Sequence, residues 1–297
     1  MSPDTKKITD ESFWHLDTKD LSVQQIQGLL VGGVAPRPIA LVSTMSEKGL
    51  ANLAPFSFFN AFGSNPPVVA FSPARRGRDG SLKDTYRNLV ETNECVVQIV
   101  TQPIVEQVNV ASTEFPSGVD EFTKSGLTKV ASHIVKPFRV LESPFQMECK
   151  LIQMIHLGGQ NGSGNLAVCE VLKFHVSRDM YVGGKILVEK MDQVGRNGGA
   201  YYTRSIPTSM FEIHQPVTRI GVGYDQLPKA FRESHDLSAN DLGQLATLEK
   251  APTEDEAKAF IKSAGIKKGK HLESAKQFLR DRKTADAWKV LLVHFQK

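Results

Sequence analysis

The chain has 297 residues, 40% of them hydrophobic and 23% charged, the composition of a soluble globular protein long enough for one large domain with an addition, or for two domains. No stretch approaches the roughly 18–20 uninterrupted apolar residues of a membrane-spanning helix, and the polar start MSPDTKKITDESFW is expected not to act as a secretory leader. The net charge is +4, but residues 246–297 carry +5 and the rest −1, so the main body lacks the basic surplus of a nucleic-acid-binding surface.

In chain order, residues 1–22 read as a polar lead-in, and residues 23–30 as a short helix ended by Gly32 and Gly33. Strands are expected over 39–44 and 50–60, joined by a hairpin-like turn at SEKG, then over 67–72 and 95–101. A long pair over 146–157 and 166–177 flanks the turn GGQNGSGN, and short strands are expected over 185–188 and 217–222. Helices are expected over 81–92, opened by a Ser-x-x-Asp pattern like a capping box, and over 104–111 and 119–125. Strands outnumber helices across 35–225 and do not alternate in the βαβ manner. An antiparallel barrel or sandwich with inserted helices therefore fits better than a parallel sheet.

Beyond Gly223 the pattern becomes helical. Residues 253–264 carry a Thr253–Glu256 capping box and stop at Gly265, and Leu272, Ala275, Phe278, Leu279, Trp288, Leu291, Leu292 and Phe295 recur at helical spacing. Thr284 is expected to cap a separate last helix. Residues 226–297 thus form a helical C-terminal extension, read as a packed cap rather than a partner-binding tail.

The three cysteines, Cys95, Cys149 and Cys169, lie far apart in apolar runs. They are expected to be buried thiols of a reduced, cytoplasmic protein, not a disulfide framework or a CxxC metal site. The eight histidines show no zinc-ligand spacing, so no metal is expected, and His156 and His175 read as structural strand histidines. There is no GxGxxG after a strand, no GxxxxGK[ST], no HExxH and no GxSxG. The glycine-rich run 158–164 lies between two strands and suits a hairpin tip.

One segment stands out: VAPRPIALVSTMSEKGLANLAPFSFFNAFGSNPPVVAFSP, followed by SLKDTYRNL. Prolines at 36, 38 and 55 beside strand-forming runs mark an edge or a bulge, where backbone groups stay free. A flat heteroaromatic ring with donors and acceptors around its rim needs such groups. Leu50, Asn52, Ala54, Phe56, Phe58 and Asn60 are expected on one strand face, and Ala51, Leu53, Ser57 and Phe59 on the other; both faces mix polar and apolar groups. At 81–85 a helix start brings free N–H groups, the Lys83 ammonium and the hydroxyls of Ser81 and Thr85, which together suit a phosphate. An ordinary capped surface helix is the alternative.

These pieces resemble the flavin reductase-like family, with its FMN-binding split β-barrel, over about residues 20–225. The resemblance rests on Ala35-Pro-Arg-Pro-Ile-Ala-Leu-Val-Ser-Thr44, Asn52-Leu-Ala-Pro-Phe-Ser-Phe-Phe-Asn60, Asn65-Pro-Pro67 and Lys83-Asp-Thr85 with Asn88. Later pieces are Asp120-Glu-Phe122 with Ser125 and Gly126, Glu148 with Cys149, and Val194-Gly-Arg-Asn-Gly-Gly199 with Tyr201 and Tyr202. It implies a mainly β (α+β) fold: an antiparallel Greek-key split barrel over 23–225 with inserted helices and the helical extension appended. It also implies non-covalent FMN and a homodimer with the flavin near the subunit boundary. Position by position, Ser43, Thr44, Asn52, Ala54, Pro55 and Ser57 would lie along the isoalloxazine and ribityl chain. Arg37, Asn60, Lys83, Asp84 and Thr85 would lie on the phosphate side, with Asp84 orienting Lys83 or accepting a ribityl hydroxyl. Arg196 would approach the flavin from the late glycine-rich segment or hold its loop. The implied activity is an oxidoreductase passing a hydride from NAD(P)H through bound flavin to a small-molecule acceptor or free flavin, with no acid–base dyad of its own. The alternative is a non-catalytic FMN-binding electron carrier serving a partner protein. Neither a nucleic acid nor a membrane is an expected partner.

Overall fold

The computed structural model describes residues 10–213 and 220–296. The chain divides into two units, Met1–Phe211 and Glu212–Lys297, a boundary earlier in the chain than the expected 225/226.

The first unit is built on seven antiparallel strands: β1 (Ala40–Met45), β2 (Ala51–Phe56), β3 (Phe59–Ser64), β4 (Pro67–Phe71), β5 (Glu94–Ile99), β6 (Phe145–His156) and β7 (Asn165–Val176). Their order in the sheet is β2-β1-β5-β6-β7-β4-β3. The two edge strands, β2 and β3, are separated in sequence only by Ser57 and Phe58. Three steps of about 3.8 Å hold Phe56 and Phe59 within roughly 11 Å of one another. The sheet must therefore curl until its edges lie side by side, a barrel left split at this seam.

The expected strand over 50–60 is thus two strands. Up to Phe56 the alternation holds. Phe56 and Ala54 pack on the barrel interior with Val42, Phe71, Leu89 and Met147, while Leu53 and Ala51 pack outside with Ile39, Leu41, Val108 and Phe122. The break at Ser57–Phe58 then turns Phe59 back onto the interior cluster, so it shares the face of Phe56 rather than the opposite one. Pro55 has no N–H to give a ladder, and it stands opposite Leu41 on an edge strand, as expected of a proline there.

The three cysteines are buried and free. Hydrogen bonding to the Cys149 and Cys169 thiols, together with burial, pushes the Cys95 thiol well above its ordinary range, so it stays protonated and inert.

Among the described residues four α-helices accompany the sheet: α1 (Val23–Gly33), α2 (Asp84–Thr92), α3 (Val105–Ala111) and α4 (Glu121–Ser125). A Ser22–Gln25 capping box opens α1, which buries none of its residues. The expected start of α2 at Ser81 is corrected: its N-cap is Lys83, with no side-chain cap bond. Ser81 is held elsewhere, its N–H donating to Asp79 Oδ1 at 2.9 Å and its hydroxyl accepting from Arg76 Nη1 at 3.2 Å. Short strands Arg37–Pro38, Val194–Arg196 and Tyr202–Arg204 form a separate three-stranded sheet. Lys185–Ile186 pairs with Tyr181–Val182. Of the strand expected over 217–222, residues 217–219 lie outside the described residues and 220–222 are not strand.

The second unit has five helices among the described residues: α5 (Lys229–Arg232), α6 (Ala239–Leu245), α7 (Glu254–Ser263), α8 (His271–Arg280) and α9 (Thr284–Phe295). They enclose a core around Leu227, Phe231, Leu245, Leu279, Trp288 and Leu291. The Thr253–Glu256 capping box is present. Thr284 is the first residue of α9 rather than its cap, and its hydroxyl accepts from Gln244. Among the described residues no helix is long and apolar enough to cross a membrane, and no group of three or more His, Cys, Asp and Glu is placed to hold a metal.

Candidate functional site

Thr44 on β1 and Asn52 on β2 stand opposite each other in the ladder, and α2 packs Thr85 and Asn88 against them. Asn52 Nδ2 donates to Thr44 Oγ1 at 3.2 Å and to Thr85 Oγ1 at 2.9 Å. Asn88 Nδ2 donates to Thr44 Oγ1 at 3.0 Å. All four side chains are buried. Both threonine hydroxyls act here as acceptors and keep their own hydrogens, and the Asn52 and Asn88 carbonyl oxygens keep acceptor capacity. The knot therefore offers donors and acceptors together.

Two residues before Thr85, Lys83 is half-buried at the start of α2. Its ammonium lies 5.3 Å from the Phe56 ring centroid. Burial lowers its pKa, as does the nearby Arg76, while Glu114 opposes them. Among the described residues no carboxylate lies within 4.0 Å of it. Arg76 itself pairs with Glu114 at 3.3 Å and donates to Ser81 Oγ and the Leu82 carbonyl. Two cations, a hydroxyl and the first N–H groups of α2 thus gather at one end of the polar knot. That donor set suits a phosphate attached to a polyhydroxylated chain.

The other expected residues divide. Asp84 does not orient Lys83: its carboxylate pairs with Arg87 at 2.9 Å. The Ser43 hydroxyl donates to the Phe138 carbonyl and is fully buried. Asn60 is exposed, and its Oδ1 accepts the Ala61 N–H at 2.8 Å. Arg37 is buried, with Nη1 donating to the Val31 and Val34 carbonyls at 2.5 and 2.7 Å and Nη2 to the Asn197 carbonyl at 3.3 Å. It stands opposite Arg196 in the small sheet, and Arg196 lines a cavity with Pro55 and Ser57. The expected set therefore falls into two places. Thr44, Asn52, Ala54, Lys83 and Thr85 surround the inward face of β2, and Arg37, Pro55, Ser57 and Arg196 lie toward its other face.

Three residues beyond the expected set join the site. Asn88 lies three positions after Thr85, on the same face of α2, a spacing that marks it. Arg76 sits in the basic run ARRGRDG, where it looks like any solvated charge. Glu121 accepts the Leu53 N–H at 3.0 Å on the open edge of β2. Burial raises its pKa, the Leu53 bond works against that, and Asp84 and Asp120 add to the rise. His156 bonds the Tyr86 hydroxyl at 2.8 Å and His175 bonds Glu148 at 2.6 Å, both ties between elements.

A family model described as the flavin reductase like domain matches residues 32–192. Nitrilotriacetate monooxygenase component B from Bacillus cereus is 30% identical in a structural match covering 68% of this chain and 98% of that one, with a TM-score of 0.63. The 2-nitrobenzoate 2-nitroreductase of Pseudomonas fluorescens is 26% identical over 71% of this chain and 100% of that one, at a TM-score of 0.62. A split barrel domain protein from Shewanella frigidimarina, 21% identical over 70% and 96% of the two chains, shares the fold at a TM-score of 0.56.

Proposed function

Because this chain belongs to the flavin reductase-like family, flavin-related oxidoreductases built on the split β-barrel, we propose that it holds FMN non-covalently and passes a hydride from NAD(P)H through it to a second acceptor. The observation that carries this reading is the half-buried Lys83 ammonium, with no carboxylate within 4.0 Å among the described residues, beside the Thr44–Asn52–Thr85–Asn88 knot.

Lys83, Arg76 and the first N–H groups of α2 would hold the phosphate. The two threonine hydroxyls and the two asparagine carbonyls would meet the polar chain and the ring rim, with Ala54 and the free backbone of the seam near Pro55 and Ser57 alongside. The Ser43 hydroxyl already donates to the Phe138 carbonyl and the Asn60 Oδ1 accepts the Ala61 N–H, so the reading does not depend on them. When bound, the flavin supplies two-electron chemistry at its ring. The chain's own residues bind it, orient it and limit water at its inner face. We further propose a homodimer, supported by exposed apolar side chains on α1 and around the seam, among them Leu29, Leu30, Val34, Phe58 and Phe62.

The test is an anaerobic absorbance titration of the purified protein. Flavin bands that bleach with NADH or NADPH are the expected result. Bleaching by dithionite alone would point to the electron-carrier alternative. A colourless protein that takes up no added FMN would overturn the reading.

A further inference from the structure

A cavity of about 120 Å³ lies toward the outer face of β2. Ile39, Val105 and Val108 line it with hydrocarbon, Ser57 and Asn109 with polar groups, and Arg196 with a cation. Two of the apolar residues, Ile39 and Val108, are themselves buried, so the wall is a fixed part of the core and not a loose surface.

The charge balance around the cavity is one-sided. Arg196 stands opposite Arg37 in the small sheet. Burial lowers the Arg37 pKa, and repulsion from Arg196 lowers it further. Arg37 is committed to backbone carbonyls through its Nη atoms and donates through Nε to the Ser57 hydroxyl at 3.5 Å. Arg196 lies with its guanidinium 4.9 Å from the Tyr202 ring centroid and donates to Tyr202 Oη at 2.6 Å and to the Gly199 carbonyl at 3.1 Å. These contacts fix its direction without neutralising it. Among the described residues neither arginine has a carboxylate within 4.0 Å. Asp192, on the same hairpin, is already held by Arg204 at 2.6 and 2.9 Å. Two adjacent cations with no carboxylate within 4.0 Å among the described residues make a place where an anion is stabilised.

Size narrows the occupant. A cavity of about 150 Å³ accommodates one benzene molecule, so this one, somewhat smaller at about 120 Å³, is limited to at most a single ring or a short branched chain. A flavin or a dinucleotide is far too large. We infer that the cavity takes a small carboxylate with an apolar body, its charge on Arg196 and its hydrocarbon against Ile39, Val105 and Val108. Its assignment as the second substrate of the reaction rests on the flavin reading above; the binding itself does not.

The test uses the full chain as isolated, with benzoate as probe and benzamide as its neutral counterpart, by isothermal titration. Flavin uptake is read separately by absorbance on the same samples. Benzoate should bind once per chain and benzamide about tenfold or more weakly. Arg196→Gln should weaken benzoate about tenfold or more, the loss of one charge-assisted contact, with Arg196→Lys recovering part of it. Asn109→Trp, which fills the cavity from the exposed rim of α3, should abolish benzoate binding and leave flavin uptake unchanged. No binding of benzoate to the wild type, equal binding of benzamide, or unaltered binding in both Arg196→Gln and Asn109→Trp would overturn the inference. A protein that takes up flavin but ignores benzoate fails this inference alone. One that binds benzoate but takes up no FMN fails the flavin reading and leaves the cavity's ligand class standing.

Discussion

The Lys83 ammonium is held between a hydrocarbon surface and a second cation: Phe56 lies beneath it and Arg76 beside it. Both burial and the neighbouring charge disfavour its charged form, so the position carries a standing cost that a bound dianion would offset. Lys83→Ala should therefore leave the fold intact and weaken FMN binding by roughly 10–100-fold, the equivalent of one charge-assisted hydrogen bond. Fluorescence titration of the apoprotein measures it. Thr85 behaves differently, although it is only two residues away. Its hydroxyl accepts from the buried Asn52 amide, so Thr85→Ala should cost about 1–3 kcal/mol of folding stability as well as flavin affinity, seen as a lower urea midpoint. The two neighbours share one motif and yet separate into a binding contact and a structural one.

Glu148 acts at the scale of elements, by fastening the segment 133–135 to the middle of β6. Burial opposes its ionisation, but the His133 N–H at 2.8 Å, the His175 ring at 2.6 Å, and the Val135 and Ile134 N–H groups at 3.0 and 2.6 Å overcome that and bring its pKa from 4.5 to about 2. A carboxylate depressed in the folded state stabilises above its unfolded pKa and loses that stabilisation as pH falls toward the folded value. His175, whose pKa is lowered chiefly by burial, resists charging below its ordinary 6.5, so it adds to acid sensitivity in the same direction. Stability should accordingly begin to fall below about pH 6.5 through His175 and drop further between about pH 4.5 and 2 through Glu148, and Glu148→Gln should be less stable at neutral pH and lack the lower part of that slope. Denaturant midpoints measured across this range check both. The elements themselves were unequally legible. The β6–β7 hairpin followed from two alternating runs around a glycine-rich tip, and α7 from its capping box, because both signals are local. The break at Ser57–Phe58 carries no glycine or proline, so residues 50–60 read as one strand, and every face assigned beyond Phe56 inherited the error. Ser81 resembles a helix cap in sequence, but Asp79 two residues before it takes its N–H in an Asx-turn and Arg76 bonds its hydroxyl, so the cap pattern competes with a turn pattern. The same limit governs the site. Thr44, Asn52, Thr85 and Lys83 came together because two paired strands and one helix turn bring them there. Arg37 and Arg196 moved away because a strand pairing across some 160 residues put them on the other side.

At the scale of the whole chain, each unit has a core of its own, and the two tryptophans report on them unequally. Trp14 is 92% exposed and Trp288 only 1%, so the change in tryptophan emission on unfolding comes almost wholly from the second unit. Flavin absorbance, by contrast, would follow the first. Urea titrations of the holoprotein read by both signals should give transitions that do not coincide, whereas superimposable curves would mark a single cooperative unit. The seam described above also bears on how the first unit is assembled. The β1–β2 and β3–β4 pairs are short-range hairpins, and Ser57 and Phe58 tie them together from the outset. The three strands that must lie between them, β5, β6 and β7, all come later in the chain: Val42 pairs with Val97, Val97 with Met147, and Val69 with Cys169. Closing those distant contacts costs loop entropy before any interior surface is buried. High contact order of this kind places folding in the millisecond-to-second range typical of barrels. The barrel thus begins as an open clasp of two hairpins, and its folding time is the time the later strands need to slide in between.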